Sequence, residues 1–492
     1  MKLYHATDLR AAEDDLLSRA VALTERLTRR QRQVVAVTTL APFMGMLDVT
    51  IVNIAFPDIA RTFPSAATAD LSWVLSAYNL GFAAFLIPAG RAADRYGRKR
   101  VWALGVLVFL AASGGCALAP SLGVLVASRV GQAIGVALFM PASLALLLPE
   151  FPASRRATAT SLWGVSGAVA AALGPALGGI LVASFGWRSI FAVNAPLGAL
   201  ALALGARVLT ERRESVRVQF PDLLSVGLLI VAVAALALGT VQGPEWGWGG
   251  PPVVIALAGG ATLLLAFARR NRRHPRPLIE PALLRVRSFA VGSSAVFLFS
   301  LGFFASFLCN VLFLTRVWGY PEWEAGLALS PGPLMAALAA PVAGRMCDRF
   351  GQRVVAIPGA LAFAIGTAFL VVAVEQERNY TGTFLPVSVL TGAGVGMTLA
   401  ALSSAVVAEL PSERYGTGGA VYTCVRQLGA VLGISLLIAL LDQQLELVSA
   451  YQRAWAFIAT TGLLAAATAG VLGRFHALDD RPAAVAASPP RE

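Results

Sequence analysis

The chain has 492 residues, of which 57% are hydrophobic and 13% charged, and its formal net charge is +12. Soluble domains carry about a quarter charged residues. This composition excludes an ordinary soluble enzyme, and apolar runs of about 20 residues recurring from end to end predict a polytopic helical membrane protein. The basic residues fall in the short breaks between those runs, which fits membrane orientation and argues against a nucleic-acid partner.

In chain order, residues 1–32 are charged and amphipathic without an apolar h-region, so they read as a cytoplasmic segment, lying along the inner membrane surface or partly disordered, and not as a cleaved signal. Fourteen spans follow, at 35–57, 71–90, 102–119, 122–148, 158–183, 189–207, 222–241, 252–268, 288–315, 324–344, 354–374, 383–409, 416–441 and 454–473. With the N-terminus in the cytoplasm, inner segments hold 32 of the 39 Lys and Arg. Outer loops hold five, at Arg61, Arg188, Arg316, Arg378 and Arg453, and Arg129 and Arg426 remain inside spans. The positive-inside rule therefore predicts both termini in the cytoplasm of a multi-pass protein of the cytoplasmic (inner) membrane. The cysteines Cys116, Cys309, Cys347 and Cys424 lie in or at the ends of apolar runs without paired spacing, and read as packing residues.

The stretch AGRAADRYGRKRV from Ala89 returns as AGRMCDRFGQRV from Ala343, 254 residues later. Gly90/Gly344, Asp94/Asp348, Arg95/Arg349, Tyr96/Phe350 and Gly97/Gly351 recur in register, while Arg98 stands against Gln352. A repeat at this distance indicates two copies of one architectural half. The expected organisation is a six-helix bundle at 33–208, an inserted two-helix segment with linkers at 209–287, a second six-helix bundle at 288–474 and a cytoplasmic tail at 475–492. The basic stretch at 268–288 reads as a solvated, inward-anchoring linker.

Six motifs in chain order resemble the major facilitator superfamily, in particular its fourteen-span drug:proton antiporter branch. They are LDVTIVNIAFP (47–57), GRAADRYGRKR (90–100), LVASRVGQAIG (125–135), GAVAAALGPALGG (167–179), WRSIFAVNAPLG (187–198) and RQLGAVLG (426–433). The resemblance covers nearly all the chain after residue 32. It implies an all-α major facilitator fold of two six-helix bundles plus two inserted helices, rocking about a central cavity, with export of drugs or amphiphilic small molecules driven by inward proton flow. The family often has glutamine near the end of span 9, where this chain has Arg316.

Among residues that could carry chemistry, Asp48 stands out. A carboxylate near a helix centre in lipid costs about 2.5–3.5 kcal/mol, so one that persists faces a cavity or a partner. The other acids of the apolar region, Glu150, Glu324, Glu409 and Asp442, lie at span ends, and His5, His274 and His476 lie outside the spans. Proton work thus falls to Asp48, with a structural carboxylate that never titrates as the alternative. Arg129 is its expected partner: Asp48 lies roughly 20 Å from the inner end of span 1 and Arg129 roughly 28 Å from that of span 4. The guanidinium would favour the ionised acid, and burial would oppose it. Neither residue has a counterpart near 302 or 388.

The repeated turns are expected to gate, through Gly90, Asp94, Arg95, Gly97, Arg98, Gly344, Asp348 and Arg349. Gly90 and Gly344 are read as sites of close backbone approach, and Asp94 as facing a helix N-terminus, which the resemblance assigns to span 13. Gly174, Pro175, Gly178 and Gly179 of span 5 predict tight packing, to which the resemblance adds an antiporter-type kink between the bundles. Substrate-contact candidates are the aromatic Tyr78, Phe82, Trp163, Phe303, Phe304 and Phe307, suited to planar or cationic amphiphiles, and the polar Asn53, Gln132, Asn310, Arg426 and Gln427. No G-x-x-x-x-G-K-[ST] loop and no nucleophile–base or metal-ligand arrangement is present, so ATP drive, enzymatic activity, a metal and a cofactor are not expected. The expected partners are a small-molecule substrate, protons and the lipid bilayer, with a functional monomer. A proton-coupled nutrient symporter and a non-transporting sensor or scaffold are the competing functions; the span 5 glycines and the span count favour export.

Overall fold

The computed structural model describes residues 27–472 other than 153–154, 212–221, 276, 375, 411–414 and 442–446. The expectations for residues 1–26 and for the tail at 475–492 lie outside the described residues, as do parts of the linker at 209–221. The described residues form helices and connecting turns, with no strand among them. In the N-terminal part these are α1 (Arg29–Thr62), α2 (Thr68–Tyr96), α3 (Arg98–Ala117), α4 (Leu122–Leu147), α5 (Arg156–Phe185) and α6 (Ser189–Val208). Next come α7 (Leu223–Trp246) and α8 (Pro251–Arg273). The remainder is α9 (Arg287–Arg316), α10 (Glu322–Phe350), α11 (Gln352–Ala373), α12 (Tyr380–Val407), α13 (Tyr415–Leu440) and α14 (Leu447–Ala469). Thirteen of these, α1 to α13, are long and apolar enough to cross a membrane.

Local chemistry sets several helix ends. Thr28 and Gln31 form a reciprocal capping box, so α1 begins at Arg29, six residues ahead of the predicted span. Asp222 caps α7 through the amides of Leu224 and Ser225 and pairs with Arg270 of α8 at 2.5 Å, which holds its carboxyl well below the usual carboxylate range. The last helix differs from its predicted span at 454–473. Tyr451 and Trp455 pack their rings 5.4 and 4.9 Å from Phe313 of α9, and this packing carries α14 back to Leu447, beyond the apolar run. Arg453, placed in an outer loop by the sequence, therefore lies inside the helix.

The packing repeats with an offset of eight helices. In the first six helices α1 packs on α5, α2 on α4, and α3 on both α4 and α6. In the last six, α9 packs on α13, α10 on α12, and α11 on both α12 and α14. The two sets meet along two seams, α2 with α13 and α5 with α10. The pair α7–α8 packs on itself, and α7 also lies against α13 and α2. Leu80, Val226, Leu229, Val233 and Val431 form an apolar cluster over that first seam.

The two ends of the molecule differ. At the end opposite the repeated turns, one cluster of buried apolar residues runs through both sets, from Ile54, Phe56 and Leu71 to Phe313, Trp318 and Leu329. At the turn end each set has its own cluster, around Trp102 and Phe139 in one and around Phe289 and Val355 in the other. The apolar core is continuous across both sets at the far end and split into two clusters at the turn end, where Ile87 of α2 packs against the margin of the second.

Candidate functional site

Asp48 and Arg129 meet inside the first six helices. The carboxylate has no exposed surface and the guanidinium 1%. Arg129 Nη1 donates to Asp48 Oδ2 at 2.5 Å, and Arg129 Nε donates to the carbonyl of Val74, which fixes the plane of the guanidinium. That plane lies 4.2 Å from the ring centre of Tyr78, a desolvated cation–π contact. Asp48 Oδ1 accepts from Gln132 Nε2 at 3.0 Å and Asn194 Nδ2 at 3.3 Å. Gln132 also accepts from Arg129 at 2.6 Å and donates to Ser113 Oγ at 2.8 Å, and Asn194 donates to the same hydroxyl. Side chains from α1, α2, α3, α4 and α6 thus enclose one charge pair. Two opposite charges in a low-dielectric interior persist only when paired and hydrogen-bonded in this way.

Tyr78 and Gln132, sequence candidates for substrate contact, are placed in this network. Ser113 and Asn194 are members that the sequence reading did not single out, and Cys116, read from the sequence as a packing residue, also joins the network, its thiol donating to Gln132 Oε1. Asn194 stands within the quoted stretch WRSIFAVNAPLG, and its only signal was an uncharged amide in an apolar run.

The seams between the two sets are built from small residues and a few polar contacts. In α5, a Cβ added to Gly174 or Gly178 would overlap Thr50 or Ile51 of α1. One added to Gly179 would sit 2.4 Å from the carbonyl oxygen of Glu322, and one added to Gly326 of α10 would sit 2.1 Å from that of Pro175. Gly174 and Gly178 therefore face α1, while Pro175 and Gly179 lie against α10 of the other set. At the far end Arg61 pairs with Asp58 of its own helix and with Glu322 across the seam. On the α2–α13 seam, Gln427 donates to Asn79 at 3.0 Å and Cys424 to the carbonyl of Ala83.

The repeated turns are similar in backbone and different in surroundings. Gly97 and Gly351 have φ of +111° and +88°, the left-handed region that favours glycine. Gly90 and Gly344 are a correction: a Cβ at either would meet nothing within 4 Å, so neither marks a close approach. The close approach is at Gly97, where the Glu211 carboxylate lies 2.6 Å from the Cβ position. Glu211 accepts from the amides of Lys99 and Arg100, and so caps α3. Asp94 pairs with Arg98 at 3.1 Å in its own turn, and Arg98 also donates to Ala145 of α4. Arg95 and Arg349 lie over the rings of Tyr96 and Phe350. Of GTGGA (416–420), the side chains of 416 and 417 are outside the described residues. In the second copy Asp348 lies beside Cys347, and Gln352 Nε2 donates to Ser404 Oγ at 3.4 Å.

The remaining candidates are dispersed. Phe82 is buried in the apolar cluster of the first six helices, and Trp163 donates to Ser143. Asn53 donates to Val49, and its Oδ1 is buried without a partner. Phe303 stacks near Phe299 and touches Phe304, and Phe307 is half-buried. Asn310 accepts from Trp455 and lines a small cavity with Ser306, Thr367, Ser388 and Thr391. Arg426 is half-buried, and its Nε has no partner.

Comparison with known proteins follows the same lines. The family model described as Major Facilitator Superfamily matches residues 38–222 and 292–492. The chain is 33% identical over 412 residues to the multidrug resistance protein Stp of Mycobacterium tuberculosis, covering 84% of this chain and 76% of that protein. It is 33% identical over 464 residues to the methylenomycin A resistance protein of Streptomyces coelicolor, covering 92% and 94%. The tetracenomycin C resistance and export protein of Streptomyces glaucescens is 31% identical over 406 residues, covering 81% and 74%. Among solved structures, the inward-open xylose transporter XylE from E. coli superposes with a TM-score of 0.63 at 16% identity, over 92% of this chain and 98% of that one. A structure of the peptide transporter POT in complex with sulfate gives 0.65 at 16% identity, over 92% and 97%. These two likenesses bear on the fold. With its helix packing, its repeated turns and these matches taken together, the chain belongs to the Major Facilitator Superfamily.

Proposed function

We propose that this protein exports drugs or other amphiphilic small molecules by alternating access, coupled to proton entry through Asp48. The relatives named for multidrug resistance, antibiotic resistance and export support the efflux direction. The excess of Lys and Arg in the inner segments supports an orientation with the turn end and both termini in the cytoplasm, and the protein works as a monomer in the cytoplasmic membrane. On that orientation the shared apolar cluster closes the outer side.

The single observation that carries the proton step is the Asp48–Arg129 pair, enclosed by five helices with no exposed surface. Protonating Asp48 discharges the pair and leaves the guanidinium without its counter-charge. That state is costly in a dry interior, and helix rearrangement that admits water relieves it. Proton binding and helix movement are thereby linked. Asp94, Arg95, Gly97 and Arg98, with Gly344, Asp348 and Arg349, act as the cytoplasmic turns that order the moving helices, and Gly174, Pro175, Gly178 and Gly179 as the seam on which they pivot. The half-buried aromatic residues and Asn53, Asn310, Arg426 and Gln427 serve the cargo once the halves part.

The test uses inverted membrane vesicles with an imposed pH gradient and ethidium, a planar cation, as the probe. The wild-type protein accumulates ethidium in proportion to the gradient. Asp48→Asn, present at the same level, loses gradient-driven uptake by about a hundredfold or more. Uptake by Asp48→Asn that still follows the gradient overturns the reading.

A further inference from the structure

Every side chain in hydrogen-bonding contact with Asp48 donates to it. Oδ2 faces Arg129, which has no acceptor to offer. Oδ1 faces the amide nitrogens of Gln132 and Asn194. A protonated carboxyl needs the opposite, an acceptor for its O–H, and the proton must sit on Oδ1 because Oδ2 is taken by the guanidinium. One of the two amides must then turn.

The surroundings decide which. The Gln132 amide is held at both ends: its oxygen accepts from Arg129 at 2.6 Å and from Cys116, and its nitrogen donates to Asp48 and Ser113. Turning it would break four contacts, one of them charge-assisted. Asn194 is held at one end only. Its nitrogen makes two long bonds, 3.3 Å to Asp48 and 3.2 Å to Ser113, and its Oδ1 is buried without a partner. A buried orphan acceptor requires a reason. A carboxamide that serves two charge states leaves one end unpartnered in either of them. Asn194 also stands at a joint: α6 consists of Ser189–Ala192 and Asn194–Val208, and Pro196 deprives the joint of a backbone donor.

We infer that Asn194 reads the proton on Asp48, donating through Nδ2 to the carboxylate and presenting Oδ1 to the protonated acid. It is a positioning residue, and the inference rests on the proton-coupling role of Asp48. The titratable and charged groups facing Asp48 are Arg129 from α4, Tyr78 from α2 and Cys116 from α3. Tyr78 turns its hydroxyl to the carbonyl of Gly45, and the Cys116 thiol is directed at Gln132.

The test follows protonation directly, by infrared difference spectra of the full-length protein in lipid across a pH titration, beside efflux measured over the same range. The carboxylic C=O band that vanishes in Asp48→Asn belongs to Asp48. Asn194→Leu removes one of three donors from the ionised form but the acceptor from the protonated form. Its band should move to higher frequency, and its half-maximal efflux should move to lower pH by about one unit. Asn194→Ser, which keeps a group able to donate and accept, should restore part of both. Asn194→Ala carries the same expectation as leucine with less steric demand, so a leucine variant that fails to accumulate does not end the test. An unmoved band and an unmoved profile in folded Asn194→Leu or Asn194→Ala overturn the inference. If Asp48→Asn keeps gradient-driven efflux, the proton reading fails first; if it loses efflux while the Asn194 variants behave as wild type, only the role of Asn194 fails.

Discussion

Asp48 and Arg129 place two full charges where neither has meaningful access to water, and each makes the other tolerable. Such a pair adds little net stability over an apolar replacement, yet removing one partner is costly because the other charge is stranded. Arg129→Leu should therefore destabilise the protein by about 3–5 kcal/mol. The loss should be visible as a lower melting temperature in detergent and reduced folded yield. The double variant Asp48→Asn/Arg129→Leu should recover most of that stability and none of the gradient-driven efflux. Equal melting temperatures for single and double variants would show that the pair is not what the surrounding helices are built around. Asp48 and Arg129 were legible in the sequence because a charge inside an apolar run is conspicuous. Ser113 and Asn194 were not, since an uncharged polar side chain in a span costs little and carries no mark of which neighbour it meets.

At the scale of an element, the two copies of the cytoplasmic turn separate what a repeat conserves from what its surroundings add. Gly97 and Gly351 share a left-handed backbone, but only Gly97 also lies beneath a carboxylate, that of Glu211. Gly90 lies in helix with open space around its Cβ position. Gly97→Ala should thus be damaging twice over, through backbone strain of about 1 kcal/mol and displacement of the Glu211 cap from α3. Gly90→Ala should be neutral or stabilising by up to about 1 kcal/mol, as alanine is in a helix. Melting temperatures and efflux of the two variants side by side check this; a more harmful Gly90→Ala would mean that the turn has another partner in the working cycle. The sequence reading placed the close approach at Gly90 and Gly344 instead of Gly97, because identical letters at a fixed period say nothing of what lies opposite. Thirteen of the fourteen predicted spans, α1 to α13, were readable from the length of apolar runs. The start of α14 was not, since Tyr451 and Trp455 extend that helix through packing on Phe313, a contact between residues more than 130 positions apart in the chain.

For the whole molecule, duplication supplies the scaffold and the unduplicated residues supply the chemistry. The helix packing of the first six helices recurs in the last six, while the place of the charge pair has no charged counterpart in the second set. What distinguishes one conformation from another is then the pair of seams. The far end is held by the Gly179 and Gly326 contacts and by Arg61, which joins Asp58 on its own helix to Glu322 on the other set. The latch is partly solvent-exposed, Arg61 at 64%, so it is worth about 0.2–1 kcal/mol. That is small against a packed seam but large enough to shift two conformations that lie close in free energy, by up to about fivefold in population. Spin labels on Ser65→Cys and Glu377→Cys, both exposed at the far end on opposite sets, would report the separation of the two halves. Glu322→Gln should enlarge the long-distance population by two- to fivefold at pH 7, with the glycine contacts still closing the remainder. Raising the ionic strength should do the same to the wild-type protein and nothing further to Glu322→Gln, because a screened pair and a missing one are equivalent. A distance distribution that ignores both the substitution and the salt would place the closing force at the far end entirely in the packing of α5 against α10.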